Sequence, residues 1–305
     1  ATWDFYPLAL APAPKTIAKV VRKDAALDSI VPAGAAFEKL AGGFGFVEGP
    51  VWEPTAGYLL FSDPNNNLIY RWTQDGEVSV FRTKSGFSGG DIARYHQPGS
   101  NGLALDSAGR VTIDEHGNRR VVRIERTGAV TVLADRYQGK RLNSPNDLVY
   151  RSDGSLYFTD PPFGLPKVFE DPAKETPFSG VYRWRDGQLT LLTAELRGPN
   201  GIAFSPDERF LYVSNWDPAR KVIMRYPVQA DGTIGPGTVF FDITKTVPGG
   251  DAWDGVKVDS RGHVFAAGPE GIYVLAADGR HLGTIATPEH VANFAWGDAD
   301  RTTLY

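Results

Sequence analysis

The stretch NGIAF, residues 200–204, places a polar side chain directly ahead of a short apolar run, and this pattern returns along the whole chain. It occurs at Glu48 (EGPVW), Asn101 (NGLAL), Asn146 (NDLVY), Asn200 (NGIAF), Asp254 (DGVKV) and Asn293 (NFAW). Successive positions are 39 to 54 residues apart, a period typical of a repeated multi-strand unit. We call these six residues the head residues. If each begins the innermost strand of a blade, all six side chains point at one channel, where their oxygens suit a divalent hard cation.

Between head residues, short β-rich runs alternate with turn residues. After Glu48, for example, YLLFSD (58–63), LIYRW (68–72) and VSVF (78–81) are separated by PNNN and QDG. Asn-rich and Asp-Gly clusters between β-branched and aromatic residues indicate hairpins. Each unit therefore contains about four strands. We predict an all-β fold, a six-bladed β-propeller over residues 36–305; a β-sandwich would leave the repeated heads unexplained.

The two ends of the chain carry separate expectations. The sixth unit begins at ANFAWGDADRTTLY (292–305) and is incomplete, so we expect FEKLA (37–41) to close the ring, because an open sheet edge invites aggregation. Residues 1–35 are predicted to form an N-terminal extension that packs on the propeller. Within it, ATWDFYPLALAPAPK (1–15) is predicted to be extended and TIAKVVRKDAAL (16–27) to form a short helix.

Composition excludes several classes of function. With 305 residues and 42% hydrophobic side chains, the chain can bury a large core. Its net charge of −4 and lack of a basic run argue against nucleic acid and anionic membrane surfaces as partners. There is no cysteine, which excludes thiolate catalysis, disulfides and Cys-ligated zinc. The chain starts without Met, so a leader removed on export is conceivable, and cytoplasmic and periplasmic locations both stay open. We expect a monomer or a weak dimer.

Five motifs, in order, resemble those of the gluconolactonase/regucalcin-like (senescence marker protein-type) family, in its bacterial lactonase branch. They are GFVEGPVW (45–52), RLNSPNDLVY (141–150), YFTDPPFG (157–164), GPNGIAFSPD (198–207) and WDGVKVDSRG (253–262). EHGNRR (115–120) adds to the similarity with the bacterial branch. The resemblance covers the chain from about residue 25 to its end.

The resemblance implies a six-bladed propeller with one catalytic divalent metal, often calcium. Its metal ligands are carried over to Glu48, Asn200 and Asp254, with Asn146 as a further ligand or a substrate contact. Some animal relatives have an Arg two residues before the third-blade Asn, where this chain has Ser144. Substrate contacts made through that Arg therefore do not carry over.

The chemistry of lactone hydrolysis agrees with such a site. A cation stabilises the charge that develops on the carbonyl oxygen of a cyclic ester. An all-oxygen ligand set suits Ca²⁺, our expected cation, and the absence of His from the head register argues against Zn²⁺. Mg²⁺, Mn²⁺ and Zn²⁺ stay open as alternatives. Calcium acidifies water only weakly, so a separate base is needed, and we predict Asp254 for this role. The expected substrate is a sugar lactone such as glucono-1,5-lactone.

Five residues are candidate substrate contacts, each with an alternative role. Asn101, like Asn293, alternatively only hydrogen-bonds at the channel mouth, whereas the alternative role of Asn146 is that of a metal ligand. His116 follows a strand end and is equally compatible with a turn histidine bonded to backbone. Asp160, in FTDPPFG, is a candidate for binding a sugar hydroxyl, although Asp-Pro is also a common turn starter. Trp216, in SNWDP, suits stacking on a sugar ring or simple packing.

Two motif matches are rejected, and two other functions stay open. GFSGG (86–90) satisfies the G-x-S-x-G pattern but lies in a polar Gly-rich loop, 83–100, better interpreted as a lid than as a strand–turn–helix. DPNNN (63–67) fails as an EF-hand, because its sixth position is Leu68 and its twelfth is Gln74. The alternatives to a lactonase are a metal-dependent aryl-esterase or phosphotriesterase and a non-catalytic ligand-binding propeller with a structural metal.

Overall fold

Antiparallel strands supply most of the regular structure in the described chain, residues 16–17 and 19–305 of this computed structural model. The fold is all-β, of the propeller type, and the described residues form two compact units. The first unit holds residues 40–195 and 294–305, and the second holds the described residues up to 39 together with 196–293. The 3-10 helices are Ala25–Ser29, Ile92–Arg94 and Val168–Glu170. Among the described residues, no helix is long and apolar enough to cross a bilayer.

Three four-stranded antiparallel sheets, here blades 1 to 3, make up most of the first unit. The strands of blade 1 are Glu48–Glu53, Tyr58–Asp63, Leu68–Thr73 and Val78–Thr83. Those of blade 2 are Ser100–Leu105, Val111–Glu115, Arg120–Ile124 and Val130–Ala134. Those of blade 3 are Leu148–Tyr150, Leu156–Asp160, Gly180–Arg185 and Gln188–Thr193. A small hairpin lies between blades 2 and 3 in sequence, with strands Arg136–Tyr137 and Lys140–Arg141.

Blade 4, with four strands, and blade 5, with five, make up most of the second unit. The strands of blade 4 are Pro199–Phe204, Phe210–Asn215, Val222–Pro227 and Thr238–Asp242. Those of blade 5 are Val256–Val258, Val264–Gly268, Gly271–Leu275, His281–Ala286 and, as an added outer strand, Lys19–Arg22. Apart from the added strand Lys19–Arg22, the chain in all five sheets runs from each strand to its neighbour, so the predicted hairpin repeat is confirmed.

Local turn chemistry sets these hairpins. In blade 3, Asp186 and Gly187 have φ of 49° and 83°, and the flanking residues Arg185 and Gln188 pair directly. Two consecutive left-handed residues make a two-residue turn whose twist matches that of the strands, and Asp-Gly is a favoured sequence for it. The RDGQ stretch therefore forms the turn that its sequence predicts.

The hydrophobic core lies between successive blades of each unit. Leu60 and Ile69 of blade 1 pack with Leu103 and Ile113 of blade 2 in one cluster, all nearly or fully buried. Further clusters join blades 2 and 3 and blades 4 and 5. Each sheet thus buries both faces, which explains why its second and third strands are apolar along most of their length.

The prediction of six blades is wrong in its count, because the described residues form five full sheets. In place of the sixth, residues 294–305 form a hairpin of two-residue strands, Trp296–Gly297 with Thr303–Leu304. Turn residues occupy the intervening segment, where Asp298 and Arg301 have positive φ. Tyr305 stacks on Trp52 of blade 1 with ring centroids 5.4 Å apart.

The N-terminal expectations also need correction. The helix predicted over residues 16–27 is not found in the described part of that range: Thr16–Ile17 and Lys19–Arg22 are strands, and the 3-10 helix Ala25–Ser29 follows. The β-branched pair Val20–Val21 favours a strand, which pairs with Thr284–Ile285. FEKLA (37–41) is not seen as a closing strand in the described residues, since Ala36–Phe37 pairs with Thr16–Ile17 and residues 38–41 have no strand. The extended segment predicted for residues 1–15 lies outside the described residues.

Glycines directly after the head residues let successive inner strands approach closely. They are Gly49, Gly102, Gly201 and Gly255. A Cβ atom added to Gly201 would lie 2.4 Å from the main-chain nitrogen of Val256 and 2.6 Å from the carbonyl oxygen of Asp254. Backbone cannot move aside as a flexible side chain does, so only glycine fits at this position.

We therefore expect Gly201→Ala to lower the free energy of unfolding by about 1–3 kcal/mol, the usual cost of overpacking a close-packed interior. Urea unfolding followed by tryptophan fluorescence measures the change. Gly250→Ala is the matched control in the same unit, because a Cβ there meets nothing within 4 Å. Equal stabilities for the two variants would contradict the close approach of blades 4 and 5.

Candidate functional site

The head residues of the first unit lie beside one another through their backbones. A Cβ on Gly49 would lie 2.1 Å from the carbonyl oxygen of Asn101. The main-chain nitrogen of Gly102 donates to the carbonyl oxygen of Asn146 over 2.7 Å. The three successive heads Glu48, Asn101 and Asn146 therefore stand next to each other, as the common register predicts.

The heads of the second unit repeat this arrangement. They are Asn200, Asp254 and Asn293. The hydroxyl of Ser214 accepts a hydrogen bond from the main-chain nitrogen of Gly201 over 2.8 Å and donates to the carbonyl oxygen of Asp254 over 2.6 Å. The main-chain nitrogen of Gly255 donates to the carbonyl oxygen of Ala292 over 2.8 Å. The Ser214 hydroxyl thus connects the backbones beside Asn200 and Asp254, and the hydrogen bond from Gly255 to Ala292 connects those beside Asp254 and Asn293.

Five of the six heads are almost completely buried polar groups. The exposed fraction is at most 6% for Glu48, Asn101, Asn146, Asn200 and Asp254, whereas Asn293 is half-buried. One Glu48 carboxylate oxygen accepts a hydrogen bond of 2.7 Å from the main-chain nitrogen of Gly49. The side-chain oxygen of Asn101 has no hydrogen bond within the described residues. A buried acceptor without a partner is rare in folded proteins and marks a position for a ligand or water.

His116 joins the head residues of the first unit. Its side chain is fully buried and its Nε2 lies 3.2 Å from Oδ1 of Asn146. Burial lowers the pKa of His116 to about 4, although the hydrogen bond to Asn146 acts in the opposite direction. The ring is therefore neutral at pH 7 and acts there as a hydrogen-bonding group.

Asp160 fixes the segment that leads into its own inner strand. Its Oδ2 accepts a hydrogen bond of 2.8 Å from the main-chain nitrogen of Asn143, three residues ahead of Asn146. Blades 1 and 4 use the same strand-end position in the same way, since Asp63 accepts from Gly45 and Asn215 from Gly198. This repeated acceptor has a structural role, and the substrate contact expected of Asp160 stays a prediction.

Asp114 is a buried carboxyl that the sequence reasoning missed. It has no exposed surface, and neither oxygen has a hydrogen-bond partner among the described residues. Burial, followed by the charges of Asp147 and Asp160, raises its pKa well above the usual range. Its strand position is that of Ser214 in blade 4, so comparing the repeats residue by residue would have revealed it.

Two buried cations, also missed, bind the segments ahead of head residues. The guanidinium of Arg119 donates through Nε to the carbonyl oxygens of Leu142 and Asn143, at 2.7 and 3.1 Å. The ammonium of Lys221 donates to those of Val247 and Gly249, at 2.9 and 2.8 Å. These bonds order the loops that carry Asn146 and Asp254, and isolated basic residues in loops gave no signal for them.

The remaining motif residues have visible structural roles. Ser144 donates to the carbonyl oxygen of Pro161 over 2.6 Å and accepts from the main-chain nitrogen of Gly164 over 2.8 Å, which fixes the PPFG turn. Ser88 lies on the exposed loop, with its hydroxyl 3.2 Å from Oδ1 of Asn118. This loop runs from the strand Val78–Thr83 to the 3-10 helix Ile92–Arg94, and the rejection of a serine-hydrolase motif stays a prediction. The lid role of the 83–100 loop stays a prediction.

Known proteins resemble this chain over most of its length. Residues 46–305 match the family described as SMP-30/Gluconolactonase/LRE-like region. The gluconolactonase of Zymomonas mobilis is 38% identical over 300 residues, which cover 94% of this chain and 83% of that protein. A solved gluconolactonase structure from Xanthomonas campestris matches with a TM-score of 0.80 and 32% identity, over 95% of this chain and 93% of that one. A calcium-binding regucalcin from Agrobacterium tumefaciens, 22% identical, shares the fold with a TM-score of 0.68, over 86% of this chain and 82% of that one.

Asp160→Asn tests the burial of that carboxyl through the pH dependence of stability. Burial raises the pKa of Asp160 from 3.8 to about 7, so the folded state holds a proton that the unfolded chain releases. This contribution to stability is complete below about pH 4 and is lost as the pH rises to about 7. The unfolding free energy of the wild type, relative to Asp160→Asn, should therefore fall across that range in urea titrations. The exposed Asp186→Asn serves as control and should follow the wild type; parallel profiles for all three proteins would contradict the raised pKa.

Proposed function

Because the chain belongs to the SMP-30/gluconolactonase/LRE-like family, we propose that it hydrolyses a sugar lactone, such as glucono-1,5-lactone, with the help of one divalent cation. The chain is a lactone hydrolase of the gluconolactonase type. The proposal adds the sugar substrate, the cation and the residues that serve them. The observation that carries it is the burial of carboxylate and amide oxygens at the head position of successive inner strands.

Four head residues are proposed to hold the cation. Glu48 and Asp254 supply carboxylates, and Asn146 and Asn200 supply amide oxygens, each with an exposed fraction of 6% or less. Oxygen ligands of this kind suit Ca²⁺, and none of the four is a His or Cys that would favour zinc. No group of three or more His, Cys, Asp or Glu that could hold a metal occurs in residues 16–17 and 19–305. The proposed site agrees with that finding, because it has two carboxylate ligands and its other two ligands are amides.

Asn146 can serve the cation while keeping its contact with His116. The oxygen and nitrogen of an amide exchange places on rotation, and their assignment follows from the hydrogen-bond network. If Asn146 held the cation through its oxygen, its Nδ2 could donate to Nε2 of His116, which lies 3.2 Å from Oδ1 of Asn146 in this structure. A neutral imidazole is needed for this role, and the burial of His116, which lowers its pKa, favours the neutral ring.

The chemistry assigns Asp254 to proton transfer. A bound divalent cation would supply electrostatic stabilisation of the charge that develops on the lactone carbonyl oxygen. Asp254 accepts a proton from the water that attacks the carbonyl carbon. As the bond from that carbon to the ring oxygen breaks, Asp254 returns the proton to the ring oxygen, which becomes the free hydroxyl of the aldonic acid. The Ser214 hydrogen bond to the Asp254 carbonyl oxygen holds the backbone of this residue in place.

The proposed substrate contacts are Asn101, Asn146, Asp160 and His116. Asn101 has the clearest opportunity, because its buried side-chain oxygen has no partner within the described residues. A lactone hydroxyl that donates to this oxygen satisfies it, whereas an alkyl lactone leaves it unpaired. Sites that hydrogen-bond a substrate hydroxyl discriminate strongly against analogues without it.

Removal of divalent cations tests the metal requirement. We expect treatment with EDTA to reduce hydrolysis of glucono-1,5-lactone to the spontaneous rate in a pH-stat assay, and added Ca²⁺ to restore it. Calorimetric titration of the metal-free protein should show one Ca²⁺ per chain, and Glu48→Gln should weaken that binding by about tenfold or more. Glu77→Gln, at an exposed position, is the control. Full activity without any bound cation would refute the metal-dependent mechanism.

Asp254→Asn separates proton transfer from cation binding. The variant keeps the size and one oxygen of the side chain but removes the base, so kcat should fall by about 10²-fold at saturating Ca²⁺. The exposed Asp278→Asn should leave kcat unchanged. A near-normal kcat for Asp254→Asn would assign the base to another group, with His116 and Asp160 as the next candidates.

A further inference from the structure

Three side chains of the second unit form a cluster that the mechanism above does not use. They are Trp216, Asp251 and His290. Trp216 follows the end of the Phe210–Asn215 strand, whereas Asp251 and His290 lie three residues ahead of the heads Asp254 and Asn293. Three separate loops thus bring together an indole, a carboxylate and an imidazole.

The cluster is defined by two contacts. Nδ1 of His290 lies 3.3 Å from Oδ2 of Asp251. The imidazole of His290 meets the indole of Trp216 edge to face, with ring centroids 6.2 Å apart and planes at 84°. The His290 and Asp251 side chains are 40% and 34% exposed, and Trp216 is half-buried. These groups are therefore ordered by mutual contact and remain accessible to a ligand.

The contact with Asp251 determines which nitrogen of His290 is available. Because the carboxylate lies beside Nδ1, the proton of a neutral ring is favoured on that atom, which leaves Nε2 as an acceptor. The His290 side chain is 40% exposed, and its contact with Asp251 is made through Nδ1 rather than Nε2. It therefore offers one accessible polar atom of defined direction.

Trp216 offers an apolar surface beside that atom. In an edge-to-face pair the indole presents either its edge or one of its faces to the imidazole, so at least one indole face makes no contact with His290. An amphipathic ring of this kind pairs well with the C–H face of a sugar whose hydroxyls hydrogen-bond nearby.

The cluster lies close to the head residues of its own unit. The main-chain nitrogen of Trp216 donates over 2.7 Å to the carbonyl oxygen of Gly198, two residues ahead of Asn200. Asp251 and His290 are each three residues from a head, a separation of at most about 11 Å even for extended chain. A ligand at the heads of this unit thus lies within reach of the cluster.

We propose that Trp216, Asp251 and His290 form a subsite that binds the hydroxylated ring of the lactone, with Trp216 stacking on its C–H face and His290 accepting from a hydroxyl. Asp251 positions the imidazole. This inference rests on the proposed function, since it names the residues that select a polyhydroxylated substrate.

Substrate selectivity distinguishes this role from a purely structural one. The measurement is kcat and KM for glucono-1,5-lactone and for δ-valerolactone, which lacks hydroxyls, at saturating Ca²⁺ and corrected for spontaneous hydrolysis. His290→Phe keeps an aromatic ring but removes both nitrogens, and Trp216→Leu keeps an apolar group but removes the flat face. Each should raise KM for the sugar lactone by about threefold to tenfold, the effect of losing one hydrogen bond or aromatic contact. Neither should change kcat/KM for δ-valerolactone by more than about twofold.

Two more variants are needed: Asp251→Asn tests the positioning of the imidazole, and His263→Phe is the control. Asp251→Asn should raise KM for the sugar lactone less than His290→Phe does, because it only loosens the imidazole. His263 contacts Asp259 through Nδ1 at 2.7 Å in the turn after the Val256–Val258 strand, so His263→Phe removes a comparable pair outside the cluster. His263→Phe should leave kcat and KM unchanged for both lactones. Circular dichroism checks that every variant is folded.

The outcomes separate the subsite from the proposed function. Wild-type preference for glucono-1,5-lactone, together with a loss of that preference in His290→Phe and Trp216→Leu, supports both. The same wild-type preference with unchanged selectivity in the variants, or with equal losses on both substrates, overturns the subsite alone. A wild type that prefers δ-valerolactone overturns the sugar-lactone function, and the subsite with it.

Discussion

The close approach of successive inner strands is the constraint on which the rest of the structure depends. It requires a residue without a side chain immediately after a head residue, as at Gly201, whose Cβ would overlap the backbone of the next blade. Close-packed interiors do not absorb such an overlap cheaply. Because the backbones meet there, consecutive polar heads stand side by side, and the large apolar residues of the second and third strands fill the space farther out. In the four repeats where glycine follows the head residue, that glycine therefore serves both packing and function.

A second layer of polar groups leaves the head side chains available for ligands. Strand-end acceptors such as Asp160, and buried cations such as Arg119 and Lys221, bind the main chain of the segments that lead into the heads. Buried backbone groups need partners, and here other side chains supply them. The Asn101 oxygen can consequently stay without a partner in the described structure, since the loop around it does not rely on that atom. One set of residues therefore orders the loops, and the head residues are left to contact a ligand.

The sequence predicted those features that depend on short-range patterns. Hairpins follow from alternation and Asp-Gly turns, and the head register follows from repetition, so both were found. The number of blades was not, because residues 294–305 have the start of a repeat but turn residues where strands are needed. The N-terminal strand was mistaken for a helix since its partner, His281–Ala286, is distant in sequence. Asp114 and the contact between Asp251 and His290 depend on tertiary proximity, which no spacing in the chain encodes.

Two histidines show how environment, rather than residue type, assigns roles around the heads. His116 is fully buried against an amide, and the loss of hydration lowers its pKa to about 4, so it stays an uncharged hydrogen-bonding partner at neutral pH. His290 lies at the surface beside a carboxylate and an indole, where water still reaches its ring. The first ring can fix the orientation of Asn146 but cannot reach solvent, whereas the second is partly exposed, so that an incoming molecule meets it. The difference in burial therefore agrees with the two proposed roles: His116 orients the Asn146 side chain, and His290 contacts the substrate.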